Sequence, residues 1–476
     1  MLRCSQQLKN YIVNHNDDVL TDLKRLLQQP SISPQNIGIV ECAELVAQLF
    51  EESTGQKAEV VRTERNPIVY GEYNCGAEKT LLCYFMYDTQ PYDDADQWSS
   101  PPMGANIVPM ELECGKVHSI VNRGAYNTKG PLVVFLNAVK AMRNVEGQLP
   151  VNLLLLAEGE EELGSPSLPQ FLQQRKEELS MASAIFFPFF LQDEKGDVDL
   201  YLGTKGILYF ELECSGEAWG RGPQEFDIHG SNMAWIDNPA WRMVSVLRTL
   251  SDGKRALIEG FYKDVAEPTS EEQNLIRQLV VTFDPLLTKK GNRVRQFAIP
   301  EDDREALLQA YLYNSTLNIN GIQGGYTGEG SKTVIPHKVT AKMDIRLVPN
   351  QTREKMLIQL HSHLDQHGYS DIRVTVLNEG YPWSRVSVTE PIVQAAINTC
   401  RAFDVSPRIW PRLAGSAPFS LFQGILNRPF VFGMMGHGNR AHSPDEYIVV
   451  EGNEKIAGIV ETQISYIDFL TRYQEG

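Results

Sequence analysis

Four glutamates in five residues, Glu158-Gly159-Glu160-Glu161-Glu162, follow directly on the continuous apolar run 151–157. Neighbouring carboxylates repel one another unless water or a cation compensates them. Ligands of open α/β sheets bind beyond the carboxyl ends of the strands. The cluster therefore reads either as a solvated acidic face or as a site for acid/base or cation chemistry. Four further segments carry residues suited to such work. Asp88 ends the run Tyr84-Phe85-Met86-Tyr87-Asp88 and reads as a cap or as a supporting carboxylate. Residues 122–131 read as a polar turn ahead of a helix. Asp227-Ile228-His229-Gly230 and residues 439–446 contribute His229 and His442. Imidazole suits metal ligation or proton transfer near neutral pH, and a lone histidine is as readily structural.

The elements that must position these groups follow from periodicity. Val19, Leu20, Leu23, Leu26 and Leu27 recur at helical spacing in an opening helix, with Asp17 and Asp18 near its start. A second helix is expected over 37–53, strands over 68–73 and 80–87, and a helix after Gly130. Buried strands follow over 151–157 and 182–187. Alternating strands and helices imply an α/β layer fold. The pattern changes near residue 206. Residues 207–214 alternate as a half-exposed strand, and a helix runs from Asn238-Pro239 to about residue 250. Strands over 339–347 and 373–377 flank a helix over 354–367, which makes a small α+β insert. Helix 391–402, strand 429–434 and a terminal helix over 453–473 return to the first character. The outline is an α/β domain of residues 1–206 and 386–476, interrupted by an α+β domain at 207–385.

The 476 residues carry 44 Lys+Arg against 60 Asp+Glu, a formal charge of −16, with 42% hydrophobic and 22% charged residues. That is a globular composition with material for a large core. The acidic balance argues against a nucleic-acid partner and against an anionic membrane surface. No apolar run reaches the ~18 residues of a spanning helix, and the first residues lack the apolar core of a signal peptide. Seven scattered cysteines without a C-x-x-C fit a reduced, cytoplasmic setting.

Taken together, the motifs are specific. They are the opening helix ending in Pro30-Ser31-Ile32-Ser33, Arg123-Gly124 through Lys129-Gly130-Pro131, Glu158-Gly159 through Gly164-Ser165, and Asp227-Ile228-His229 followed by Asn238-Pro239-Ala240-Trp241. Lys332-Thr333-Val334-Ile335-Pro336, Arg346-Leu347-Val348-Pro349-Asn350, Arg412 through Gly415-Ser416, and Ala441-His442-Ser443 complete the set. In this order and spacing, over essentially the whole chain, they resemble the M20 family of metallopeptidases, close to its carnosine-type dipeptidase and acetylornithine deacetylase-like branches. The resemblance implies an α/β catalytic domain interrupted by a smaller α+β lid and dimerisation domain. It also implies two bridged divalent metals, usually zinc or manganese, that activate water for amide hydrolysis.

Carried across residue by residue, the family's site is altered here. Its first histidine ligand falls on Met86, its bridging aspartate on Asn127 and a later aspartate on Phe189, with Asp193 a substitute only after a loop shift. The supporting Asp88, the general base Glu161, the ligand Glu162 and the last ligand His442 are kept. So are the positions that would hold substrate: Thr333, Arg346, Arg412, Gly415 and Ser416, with His229 reaching across a homodimer. Tyr126 and Tyr87 bring phenols that would donate to a developing oxyanion. Losing two carboxylates together with the cations they would hold is electrostatically coherent.

The expectation is an enzyme acting on an amide, peptide or amino-acid derivative bearing a carboxylate, without a cofactor or dinuclear centre. Glu161 serves as general acid/base with His442 as its partner, in hydrolysis or in acyl transfer, ring closure or elimination. Two alternatives stand beside it. One is a mononuclear amidohydrolase holding a single zinc or manganese on Glu162, His442 and a further ligand such as His437. The other is a non-catalytic homologue.

Overall fold

The computed structural model describes residues 2–92, 95–378 and 380–476. The chain forms two compact units. One comprises Met1–Leu202, Arg385–Pro411 and Leu421–Gly476; the other comprises Gly203–Ser384 and Arg412–Ser420. Residues 412–420 lie with the second unit because its backbone claims them. Leu413 N donates to Gly203 O at 2.8 Å, and Lys205 N donates to Leu413 O and Gly415 O at 3.0 and 3.1 Å.

The first unit is built on a six-stranded sheet in the order Ala58–Val61, Ile68–Tyr73, Asn152–Glu158, Thr80–Met86, Ala184–Phe190, Phe430–Met434. The last four run parallel, and the first two are antiparallel additions at one edge. Thr80–Met86 and Asn152–Glu158 are buried beyond their first residues, as parallel strands covered on both faces should be. Their register pairs Met86 with Glu158. The pairing of Leu81 with Ala184 through Cys83 with Phe186, carried three residues on, sets Met86 level with Phe189. One end of the sheet therefore gathers the altered and retained positions from three different strands.

A second, antiparallel sheet joins Asn106–Leu112, Gly115–Val121, Tyr447–Glu451 and Gly438–Asn439. It matters because Tyr447 pairs with Val121. That register puts Glu446 beside the turn that follows Val121. Helix Gly130–Glu146, capped by Gly147, is buried along nearly its whole length.

The second unit is a four-stranded antiparallel sheet in the order Thr316–Gly324, Lys338–Leu347, Gly206–Ser215, Arg373–Val376. Gly206–Ser215 alternates strictly between buried and half-buried residues. Its apolar face packs against Pro239–Leu250 and Arg353–Gln366 in a core that includes Phe210, Leu212, Met243, Val246, Met343 and Leu360.

Five helices depart from the periodicity reading. A helix at Gln6–Asn14 precedes Asn16–Leu27; it buries only Leu8 and Ile12, too sparse a stripe to register. The terminal helix begins at Ile459, because the Asn453 side chain accepts from Lys455 N and Ile456 N and folds that stretch into a turn. The second unit contains three helices that the outline left unassigned: Ser270–Thr282, Pro285–Asn292 and Arg304–Tyr313. Their cue was capping rather than periodicity. Thr269 and Glu272 form a capping box, and Asp284 and Asp303 cap the next two.

Candidate functional site

The glutamate cluster separates into four different roles. Glu158 is buried at its strand end, where its Oε1 accepts from Tyr84 and Ser165. Burial pushes its carboxyl up to about 8. Glu160 is also buried and ties loops together, accepting from Asn66 N at 2.7 Å and Ser167 N at 3.0 Å. Gly159 between them leaves room for the Tyr87 ring, which a Cβ there would meet at 2.5 Å. Glu162 is fully engaged. Its Oε2 accepts from Gln90 Nε2 at 2.9 Å, and its Oε1 lies 2.8 Å from Asn127 Nδ2 and 2.9 Å from His442 Nε2. Glu161 alone of the four makes no side-chain hydrogen bond among the described residues. It is half-buried, and desolvation, then the Glu162, Asp88 and Glu158 charges, push its carboxyl well above the ordinary range.

Asp88 fixes the turn that presents Glu161. It is fully buried, accepts from Ser33 Oγ at 2.7 Å, and takes the backbone N–H groups of Glu161 and Glu162 at 3.2 and 3.1 Å. Burial raises its carboxyl to about 7 against the opposing pull of the Ser33 bond. With its oxygens held by protein donors it is a positioning residue.

Asn127, Glu162 and His442 close a triangle. Asn127 Nδ2 stands 3.0 Å from His442 Nε2, completing the two contacts already given. His442 sits in a loop where it, Arg440 and Asp445 all adopt positive φ, a conformation that costs energy in residues other than glycine. Its imidazole is raised, first by the Glu162 hydrogen bond and opposed by burial. Glu446 holds the Asn127 side of the triangle. It is buried against Arg123 at 2.7 Å and accepts from the backbone N–H groups of Gly124, Tyr126 and Asn127 at 3.1, 3.0 and 2.8 Å. Ser33, Gln90 and Glu446 were missed as site residues in the sequence. Only Glu446 had a local cue, in the motif containing His442.

Two of the three altered positions, Met86 and Phe189, are apolar. Met86 is buried, and its carbonyl accepts from Thr128 Oγ1 at 2.9 Å. The Phe189 ring lies 4.6 Å from Tyr126 and stacks on Phe432 at 5.0 Å. Two phenol expectations are corrected here. Tyr87 is buried with its hydroxyl on Pro67 O at 2.6 Å, and Tyr126 donates to Phe190 O at 3.2 Å, so neither proton is available to an oxyanion. His437 is corrected too: its two ring nitrogens lie 2.7 Å from Gln192 O and 3.0 Å from Tyr447 Oη. Asp193 is held by Arg408 at 2.8 Å. Among the described residues, no three His, Cys, Asp or Glu side chains gather closely enough to hold a metal ion.

The second unit carries its own polar groups. His229 is exposed, with Nδ1 on Ser231 Oγ at 2.8 Å and Nε2 on Thr333 Oγ1 at 3.2 Å. Arg346 donates to Ser416 Oγ at 3.2 Å and to Asp344 at 3.1 Å. Gly415 and Ser416 are half-buried. Arg412 differs from the substrate-binding expectation. It is completely buried, bonded to Glu272 at 2.6 Å and laid over the Tyr313 ring at 4.4 Å, so it anchors segment 412–420 to the helices.

The fold and the composition of the strand-end cluster are those of a peptidase-type α/β unit with an α+β companion. The chain belongs to peptidase family M20/M25/M40, whose pattern matches residues 84–464. It is 34% identical to the M20 family metallo-carboxypeptidase Sso-CP2 from Sulfolobus solfataricus, with a TM-score of 0.86 over 97% of this chain and 100% of that one. Human carnosine dipeptidase 1 shares the fold, with a TM-score of 0.77 at 24% identity over 99% of this chain and 100% of that one. In sequence, the chain is 27% identical over 465 residues to the Cys-Gly metallodipeptidase dug1 of Schizosaccharomyces pombe, covering 92% of this chain and 93% of the relative. No helix among the described residues is long and apolar enough to cross a membrane.

Proposed function

We propose that this chain performs amide-bond chemistry on a small, carboxylate-bearing peptide or amino-acid derivative, with Glu161 as the general acid/base and without a dinuclear metal centre. One observation carries the reading: Glu161 is the unpartnered carboxylate of the cluster, while both oxygens of Glu162 are taken by protein groups. A raised carboxyl suits proton transfer near neutral pH. In its ionised form the Glu161 carboxylate takes a proton from the attacking nucleophile, and the resulting carboxyl returns it to the departing amine, which restores the carboxylate. Water as nucleophile gives hydrolysis, the reaction that the peptidase relatives favour; an amine or hydroxyl gives transfer. His442, half-exposed beside Glu162, is the available second proton carrier.

The residues present do not fit the family's two ions. Met86 and Phe189 offer a thioether and a ring, poor donors for zinc or manganese. Asn127 Nδ2 donates to Glu162 Oε1 and stands 3.0 Å from His442 Nε2, so an amide nitrogen sits beside both retained ligands where the family has a carboxylate. A single-ion reading lacks a third ligand, since His437 and Asp193 are committed elsewhere.

The second unit is assigned carboxylate recognition, through Arg346, Ser416 and Thr333, by its likeness to the family pattern. Arginine suits this because its fork binds carboxylate through two hydrogen bonds. We assign the same unit to homodimerisation. Its edge strand Thr316–Gly324 is exposed at nearly every residue, Ile319 and Ile322 included, and the same unit exposes Trp241 and Trp235, the latter at 81%.

The test is a dipeptide panel that includes Cys-Gly and β-Ala-His, assayed with and without a strong chelator. Turnover that survives the chelator and falls ~100-fold or more in Glu161→Gln supports the proposal. Turnover abolished by chelator and restored by zinc overturns it.

A further inference from the structure

The second unit contains a cavity of about 390 Å³ that the proposed function does not use as such. Its wall includes Lys254, Arg255 and Arg346, with Asp344 as its one carboxylate. Three cations to one anion is the reverse of the chain's balance, 44 basic to 60 acidic residues. Asp344 is already spent: Arg346 Nε lies 3.1 Å from its Oδ2, and Asn318 Nδ2 lies 3.4 Å from its Oδ1. Neither Lys254 nor Arg255 has an ion-pair partner among the described residues.

The cations are presented by a pinned loop. Asp252 Oδ1 accepts from Lys254 N and Arg255 N at 2.8 and 2.7 Å, and Ser251 Oγ accepts from Gly253 N at 3.0 Å while donating to Arg255 O at 2.9 Å. Arg255 is further held over the Tyr262 ring at 5.0 Å. A tight loop of this kind places its cations at small ordering cost when a ligand arrives.

We propose that this cavity binds a small dianion, gripped by Lys254 and Arg255 on the loop and by Arg346 on the sheet. The shared chemistry is two negative charges on a compact ligand, supplied either by a phosphoryl group or by a dicarboxylate. Charge-assisted bonds from arginine forks and a lysine suit both. Arg346 also belongs to the proposed carboxylate site, so the inference rests on and deepens that reading; it is tested separately through Lys254 and Arg255, which the proposed function does not use.

Isothermal titration of the full chain with inorganic pyrophosphate, and separately with glutarate, tests it; acetate is the monoanion control. The expected result is one site per protomer for at least one dianion, with acetate at least about tenfold weaker. The double variant Lys254→Met/Arg255→Met should lose about tenfold or more in affinity, the scale of losing charged hydrogen bonds. Both side chains are exposed, so the variant should keep the parent's melting curve. Preference for pyrophosphate identifies a phosphoryl ligand, and preference for glutarate a dicarboxylate. Absence of binding by either dianion, equal binding of acetate, or unchanged affinity in the double variant overturns the proposal.

Discussion

The two units treat their polar groups in opposite ways. At the sheet end of the first unit, three carboxylates are satisfied internally: Asp88 by Ser33 and two backbone N–H groups, Glu162 by Gln90, Asn127 and His442, Glu446 by Arg123 and three backbone N–H groups. In the second unit, Arg346, Thr333 and His229 are exposed or half-exposed and make few bonds, and Lys254 and Arg255 have no ion-pair partner among the described residues. A closed network gives rigid placement of one unpartnered acid; open donors give recognition. In the proposed reading, this difference separates the unit that positions an acid from the unit that offers open donors to a ligand.

The strongest way to break this comparison is to open the closed network. Arg123 and Glu446 are an ion pair with side chains 2% and 1% exposed. Removing one partner leaves the other buried and uncompensated, which costs about 3–5 kcal/mol. Glu446→Ala should therefore lower the urea midpoint sharply. In the second unit, Lys254→Met removes an exposed group with no ion-pair partner among the described residues and should cost no more than about 0.5 kcal/mol. Equal losses in the two variants would erase the distinction.

The sequence made the strand-end location legible, since 151–157 is a continuous apolar run and the glutamates follow it. Pattern also located the second unit's alternating strand and the helix at Pro239. What it hid was satisfaction. Pattern does not separate Glu160, bonded to Asn66 94 residues away and to Ser167, from Glu161, whose side chain makes no hydrogen bond among the described residues. Arg412 looked like a substrate group on motif alone, and its burial against Glu272 and Tyr313 depends on helices whose periodicity is weak.

The next largest effect concerns metal. Met86→His/Asn127→Asp/Phe189→Asp rebuilds the ligand pattern that the family resemblance implies; Met86 and Phe189 lie on neighbouring strands and Asn127 on the turn 125–129. In the proposed reading, the parent chain gains no thermal stability from added zinc. The triple variant gains about 2.7 kcal/mol when zinc is a hundredfold above its dissociation constant. Metal content after dialysis provides an independent readout. A parent chain that retains two zinc ions per protomer would sink the reading and make the closed network a mere precursor of a metal site.

The smallest effect sharpens the comparison at one proton. His442 Nε2 lies within hydrogen-bond distance of both Glu162 Oε1 and Asn127 Nδ2. A protonated Nε2 donates to Glu162 and cannot also accept from the amide; an unprotonated Nε2 accepts from Asn127 and leaves Glu162 to the other donors. The Glu162 bond, first among the causes, raises the imidazole above its unfolded value of about 6.5. A raised folded value means the charged histidine stabilises the fold fully below about pH 6.5, and that contribution fades as pH rises through the folded value. The side chain is 52% exposed, so solvent screening limits the contribution to at most about 1 kcal/mol. An NMR titration of the His442 ring should give a value above 6.5, and Glu162→Gln should bring it back down. A ring that titrates at or below 6.5 in the parent would mean that Asn127 holds Nε2 as an acceptor at neutral pH. His442 would then enter the reaction as a base, and Glu161 would have to supply the acid.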